Sequence, residues 1–232
     1  MLLGVETDTY DITGRIVFAS VVNKDEFYIK ERIKRFIGKQ MQTPPIYSAI
    51  RIDGKRAYSY AREGKKVEMP EREVEIYSIE DIKVNLELRE VSFVVHCSKG
   101  TYVRSICYDV GKVLGCGGHM SFLLRTSSGK FNLENGITLE ELKEYNDNNT
   151  LDKYLYDIDY VLTNFNKIKI HENAEKYYIN GGIIDERRFI EKDFNENDEF
   201  VRVYSSKEFI GIGKIIRKNN TISVKSDKLF IV

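Results

Sequence analysis

The chain is poor in cysteine and proline, has no long apolar run and carries no net charge. Its three cysteines, Cys97, Cys107 and Cys116, are an odd count in 232 residues, a length that a hydrophobic core can hold without disulfide staples. They are read as free packing thiols in a reducing compartment. They form no C-x-x-C pair, even with His96 and His119 nearby, so no metal site is assigned. No apolar stretch approaches the roughly 20 residues of a membrane span. The opening MLLGVETDTYD meets an acid at Glu6, which argues against a secretory leader, and the expectation is a cytoplasmic protein.

Lysine plus arginine (36) cancels aspartate plus glutamate (36), so the whole-chain charge gives no polyanion footprint. The distribution says more. From Lys30 to Lys66 there are eleven basic side chains against three acids (Glu31, Asp53, Glu63). From Asn132 to Asn164 eight acids stand against Lys143 and Lys153. Two readings stand: one face for a nucleic acid with another turned away from it, or solvated helix faces.

Alternation over Leu2 to Glu6 and Arg15 to Ser20, with a turn through Asp11 to Gly14, predicts an opening hairpin. Asn23 and Asp25 can cap a helix bearing Phe27, Ile29, Ile33, Phe36 and Ile37, with Gly38 as its left-handed stop. Thr43, Pro44 and Pro45 make a stiff linker. Then come a strand over Ser48 to Ile52, a turn at Asp53 and Gly54, and a helix over Ala57 to Glu63 ended by Gly64. Strands are predicted over Glu73 to Lys83, Val91 to Cys97 and Met120 to Arg125, with a helix from Thr101 to Leu114 stopped by Gly115. Thr138 with Glu141 is a capping box, and a further helix is predicted over Leu151 to Leu162, with Tyr154, Tyr156 and Tyr160 on a buried face. Beyond Asn164 short strands take over, around one helix at Glu172 to Ile179. The fold class is α+β: residues 1–164 form a mixed or antiparallel sheet domain, and residues 165–232 a small, mostly β, barrel-like one.

Cys97 to Arg104 (CSKGTYVR) sits where a strand gives way to a helix, gathering a lysine, a tyrosine and an arginine at a positive helix terminus. It lacks the G-K-[ST] order of a phosphate loop, and a structural helix start is an equal reading. Thr43 to Ala49 (TPPIYSA) puts an aromatic ring beside prolines among Arg51, Lys55, Arg56 and Arg62, which suits unstacked RNA bases and their phosphates; a tyrosine packed on proline is the alternative. His119 reads as a hydrogen-bonded loop residue.

Together, Leu3 to Gly14 (LGVETDTYDITG), Gln42 to Ala49 with Gly54 to Tyr58 and Ala61 to Gly64, and Cys97 to Ser105 with Asp109 and Gly111 resemble the TruB type of tRNA pseudouridine synthase in order and separation. The likeness continues through Gly118, His119 and Leu123 to Thr126 and on to the late Lys228, Leu229 and Phe230, so it covers nearly the whole chain. It implies a cofactor-free, metal-free isomerase that flips one T-loop uridine of tRNA out of its stack and rejoins the base to ribose through carbon. It implies that residues 1–164 are pseudouridine synthase domain and residues 165–232 PUA-like. Arg104 resembles the arginine that pairs with the catalytic aspartate, with Tyr102 and Lys99 lining that pocket and Leu123 as the apolar wall under the base. Tyr47, Arg51, Lys55, Arg56 and Arg62 would hold the T-arm backbone of a tRNA bound by a monomer.

The family's essential aspartate, in a G-T-L-D-P type segment before the hairpin, has no counterpart, since the three prolines follow Thr43, Pro44 and Met69. Asp8 and Asp11 match turn residues of that family instead. Met1 falls at an interior strand position of the resemblance. The expectation is therefore a chain inactive alone, with a sheet edge and apolar surface uncovered, or else a non-catalytic tRNA-binding remnant or folding chaperone.

Overall fold

Gly4 divides the opening hairpin between two sheets. Strand β1 (Leu2–Leu3) ends there, and a φ of +85° turns the chain into β2 (Val5–Thr7). Only glycine fits, because a Cβ at this φ would also lie 2.8 Å from the Ser20 carbonyl oxygen. β2 pairs antiparallel with β3 (Ile16–Ala19), whose Ile16 and Val17 are 68% and 63% exposed. The structure, a computed structural model, describes residues 1–65, 67–218 and 221–230. These fall into two units, Met1–Leu124 and Arg125–Val232.

Asp25 caps α1 (Glu26–Lys34) by accepting from the Tyr28 amide at 2.7 Å. The helix closes at Arg35, earlier than predicted. Gly38, at φ +112°, instead opens β4 (Gly38–Gln42), a strand whose mixed polarity hid it from the pattern. The strand predicted over Ser48 to Ile52 shrinks to β5 (Arg51–Ile52), which meets β6 (Lys55–Arg56) across Asp53 and Gly54. Both turn residues have positive φ, 49° and 81°, as a two-residue I′ turn demands. Next come α2 (Ala57–Arg62), β7 (Arg72–Asn85), β8 (Glu90–Cys97) and α3 (Val103–Leu114), which Gly115 stops at φ +74°. β9 (Gly118–His119) completes the unit. The strand predicted over Met120 to Arg125 is absent, and Met120 makes one isolated bridge, to Asp11.

The sheet runs β4-β7-β8-β1-β9, antiparallel throughout. Leu3, Ile76 and Val91 from its strands pack with Ile29 and Ile33 of α1 and Ile106 and Val110 of α3. Each such side chain contributes about 1.5–3 kcal/mol on leaving water. Cys107 and Cys116 belong to this core, all three cysteines are free thiols, and burial pushes the Cys107 thiol up to about 11.

In the second unit β10 (Ser127–Ser128) and β11 (Phe131–Asn132) form a hairpin, and the Thr138–Glu141 capping box starts α4 (Leu139–Asp147) as predicted. The helix predicted over Leu151 to Leu162 is two 3-10 turns, Leu151–Tyr154 and Ile158–Leu162, with nothing buried. The tyrosines there are not core: Tyr154 stacks on Tyr145 with centroids 4.0 Å apart, and Tyr156 and Tyr160 gather around Phe131. From β12 (Lys167–Ile170) the chain passes through α5 (Glu172–Ile179), β13 (Ile184–Asp185), β14 (Phe189–Asp193), β15 (Phe200–Tyr204), β16 (Phe209–Lys218) and β17 (Thr221–Leu229). Their sheet runs β13-β17-β16-β15-β12-β14, parallel only between β12 and β15, over a core of Ile168, Tyr178, Val201 and Val224. Arg202 ties its start, donating to Asp159 Oδ2 at 2.8 Å and to the Phe165 carbonyl at 2.9 Å.

Candidate active site

Three segments remote in sequence meet at Arg104, in the first turn of α3. Its Nη1 donates to the Thr9 carbonyl and to Asp11 Oδ2, both at 3.1 Å, and its Nη2 to the Tyr47 carbonyl at 2.9 Å. A planar guanidinium can serve three acceptors at fixed angles; a lysine cannot. The side chains of Arg104 and Asp11 are 22% and 18% exposed, so the pair is largely shielded from solvent.

The turn that presents Asp11 is held from two directions. Tyr10 adopts φ +63°, and its ring stacks on Tyr108 at 4.0 Å and 11°. Tyr108 follows Arg104 by four residues and therefore shares its helix face. Burial first, then the neighbouring Tyr108 and Asp109, push the Tyr10 hydroxyl up to about 12. Asp11 itself accepts from the Thr9 hydroxyl at 2.9 Å and the Thr13 amide at 3.0 Å. Burial pulls its pKa upward, yet the Thr13 and Thr9 hydrogen bonds and the Arg104 charge outweigh that and hold it below the ordinary carboxylate value.

The proline-stiffened loop is moored to the same helix start. Gln42, 4% exposed, accepts from the Tyr102 amide at 2.8 Å and donates to the Tyr102 carbonyl at 3.2 Å. The Ser105 hydroxyl donates to the Thr43 carbonyl at 2.8 Å. With the bond to the Tyr47 carbonyl, residues 42–47 are hydrogen-bonded to three residues within 102–105.

Of the residues singled out by sequence, Arg104, Tyr102 and Tyr47 come together, although Tyr47 contributes its carbonyl and not its ring. Lys99 is exposed beside Gly100, whose φ is +84°. Leu123 is 51% exposed. Arg51 is exposed on β5, and Arg56 donates to the Ala49 carbonyl at 2.6 Å. Arg62 lies over the Tyr58 ring at 5.2 Å. Lys55 is ion-paired with Glu63, which also holds Lys65 at 3.1 Å. Lys66 lies outside the described residues. His119 is buried at a strand end, its Nδ1 2.9 Å from the Val5 carbonyl oxygen. Sequence missed two participants, Asp11 and Gln42. For Gln42 a signal was there: a glutamine directly before the Thr-Pro-Pro linker has no apolar reason to be buried.

Comparisons with known proteins bear on the family and the fold. The TruB family pseudouridylate synthase N-terminal domain matches residues 1–103, and the tRNA pseudouridylate synthase B C-terminal domain matches residues 104–163. The tRNA pseudouridine synthase B of Clostridioides difficile (strain 630) is 53% identical over 237 residues, covering 100% of this chain and 77% of its own length. That of Alkaliphilus oremlandii (strain OhILAs) is 42% identical over 220 residues, covering 95% and 72%. A chain in the crystal structure of a Cbf5-Nop10-Gar1 complex superposes with a TM-score of 0.65 at 26% identity, over 91% of this chain and 64% of its own. A chain in the structure of an H/ACA RNP bound to a substrate RNA containing 2'-deoxyuridine shares the fold with a TM-score of 0.67 at 22% identity, over 91% and 63%. The chain thus spans about three quarters of the curated relatives and under two thirds of the solved chains.

The matched family models and the curated relatives place the chain in the pseudouridine synthase class of isomerases. Within that class the chain belongs to the TruB family of tRNA pseudouridine synthases.

Proposed function

We propose that this chain holds the T-loop uridine of tRNA for isomerisation, with Arg104 and Tyr102 at the reacting base. The observation that carries the reading is the state of Arg104. Two Nη1 bonds and one Nη2 bond anchor it, while its Nε–H and the second Nη2–H have no acceptor among the described residues. Nε and Nη2 form the side-on edge of a guanidinium, the geometry that receives a carboxylate bidentately. In this reading the edge takes the catalytic aspartate of the family. None of the 232 residues fills that position by motif, so the chain alone is inactive.

Lys99 and Leu123 then lie beside the flipped base, and Tyr47, Arg51, Lys55, Arg56 and Arg62 face the T-arm backbone, where phosphate contacts position the RNA. Residues 1–164 act as the synthase domain and residues 165–232 as a PUA-like module, in a cytoplasmic monomer that needs no cofactor.

Tritium release from tRNA labelled at uracil carbon 5 tests this, since rejoining the base through that carbon expels its hydrogen. The purified chain is expected to retain tRNA and release no tritium. Release above a no-protein control would show that a carboxylate already present does the chemistry, while loss of both retention and release would remove tRNA as the substrate. Retention that persists when a complementing catalytic segment restores no release would favour a binding scaffold.

A further inference from the structure

Tyr102 occupies the N-cap position of α3, with φ −99° and ψ 106°, and its side chain makes no capping hydrogen bond. An aromatic ring cannot reach back to the exposed amides of the first turn, so the helix starts without the stabilisation that a serine, threonine or aspartate would bring. In a capping box the third helical residue accepts from the N-cap amide. Here that residue is Ser105, whose hydroxyl is committed to the Thr43 carbonyl. Gln42, 60 residues away in sequence, substitutes for it. The Gln42 Oε1 accepts from the Tyr102 amide and its Nε2 donates to the Tyr102 carbonyl. That carbonyl also accepts from the Ile106 amide at 3.2 Å. One amide side chain therefore satisfies both backbone groups of a single residue, and swapping its O and N would set donor against donor and acceptor against acceptor.

From this geometry we infer that Gln42 is a positioning residue, a long-range half capping box that fixes the backbone of Tyr102 so that its ring faces the base site with no capping duty. The observations against a purely packing role are its burial, 4% exposed, and the use of both amide ends on one residue. A buried amide that only filled space would be matched by methionine, which has similar shape and no polar cost. The inference rests on the proposed base site for the role of the ring, though the clamp itself does not.

The test uses the full chain as wild type, Gln42→Met and Gln42→Glu. Its first readout is amide hydrogen exchange at Tyr102, with Val110 in the middle of α3 as internal reference. Gln42→Met removes the acceptor, and Tyr102 exchange should accelerate roughly tenfold while Val110 stays unchanged. Gln42→Glu keeps an oxygen toward the Tyr102 amide but sets its other oxygen against the Tyr102 carbonyl, so its Tyr102 exchange should fall between those of wild type and Gln42→Met. The second readout is the fluorine resonance of a T-arm stem-loop RNA bearing 5-fluorouridine at the target position, with binding followed by anisotropy. Gln42→Met should hold the RNA within about threefold of wild type, because phosphate contacts dominate affinity, yet lose the bound-state fluorine shift. Unchanged Tyr102 exchange, unchanged fluorine shift, or a uniform loss of protection along α3 in Gln42→Met would each overturn the inference. If the wild-type chain itself gives no fluorine shift, the base-site reading fails, and the Tyr102 amide alone decides the clamp.

Discussion

The Asp11 carboxylate lies 3.1 Å from Arg104 Nη1 across 93 residues of sequence, and it is the only carboxylate among the described residues that Arg104 touches. Its other oxygen is engaged by Thr9 and Thr13, so Asp11 is spoken for by its own turn before the arginine arrives. The carboxylate therefore aims the arginine, whose Nε–H has no acceptor among the described residues.

Asp11→Asn should destabilise the first unit by about 1–2 kcal/mol at pH 7, the worth of hydrogen bonds to a charged acceptor. The sign with pH follows from its lowered pKa. A carboxylate depressed in the folded state stabilises above its unfolded value of about 3.9 and loses that contribution as pH falls through the folded value. Urea denaturation at pH 7 and at pH 3 should show the gap between wild type and variant narrowing in acid. A gap that stays constant would mean that the charge on Asp11 contributes nothing.

Asp109 behaves in the opposite sense. Burial pushes its carboxyl up to about 6, against the pull of Lys112. The folded state then binds the proton more tightly than the unfolded chain, so stability falls as pH rises from about 4 through 6. Asp109→Asn should gain about 1 kcal/mol at pH 7, a figure discounted because the group is partly in solvent, and nothing at pH 4. Thermal melts at both values check this, and a variant less stable at pH 7 would assign Asp109 an unseen partner.

Much of this was legible in sequence because local signals and tertiary structure agreed. The Asp53-Gly54 turn, Gly115 at the end of α3, the Thr138–Glu141 box and α5 at Glu172–Ile179 each rest on backbone rules that operate within a few residues. The failures share a cause of longer range. Gly38 has the positive φ of a helix stop, but pairing with Ile76 of β7 made it the first residue of a strand. Leu151–Leu162 has helical periodicity but buries nothing, and without packing the segment stays as two short turns. In the site, Arg104 and Tyr102 were visible from their motif, whereas Asp11 and Gln42 matter only through partners 93 and 60 residues away.

Gly111 tests how tightly α3 must approach the sheet. A Cβ there would sit 2.1 Å from the Gly118 nitrogen and 2.3 Å from the Gly117 carbonyl carbon. These are backbone atoms of β9 and its lead-in and cannot swing aside, so Gly111→Ala must displace the helix that carries Arg104. A cost of about 3 kcal/mol or more is expected, at the upper end for overpacking. Gly129→Ala, in open space at φ +61°, should cost only about 1 kcal/mol. Chemical denaturation of both variants separates steric clash from backbone strain, and equal costs would refute the close approach.

Glu63 sits inside the basic stretch and neutralises part of it. One oxygen pairs with Lys55 and the other with Lys65, and these hydrogen bonds, that of Lys55 foremost, hold its carboxyl below the ordinary value. If this face meets the T-arm phosphates, each lysine must leave Glu63 before it can displace counterions from RNA. Glu63→Gln removes the competitor without removing a cation. Every further phosphate neutralised steepens the dependence of log affinity on log salt by about 0.7–0.9, so the variant should bind tRNA several-fold more tightly at low salt, with a slope steeper by up to about 2. Because Glu63 is exposed, folding stability should not change. Filter binding of tRNA across a salt series separates the outcomes. Parallel lines for wild type and variant would place Lys55 and Lys65 off the RNA face and leave Arg51 and Arg62 to carry it.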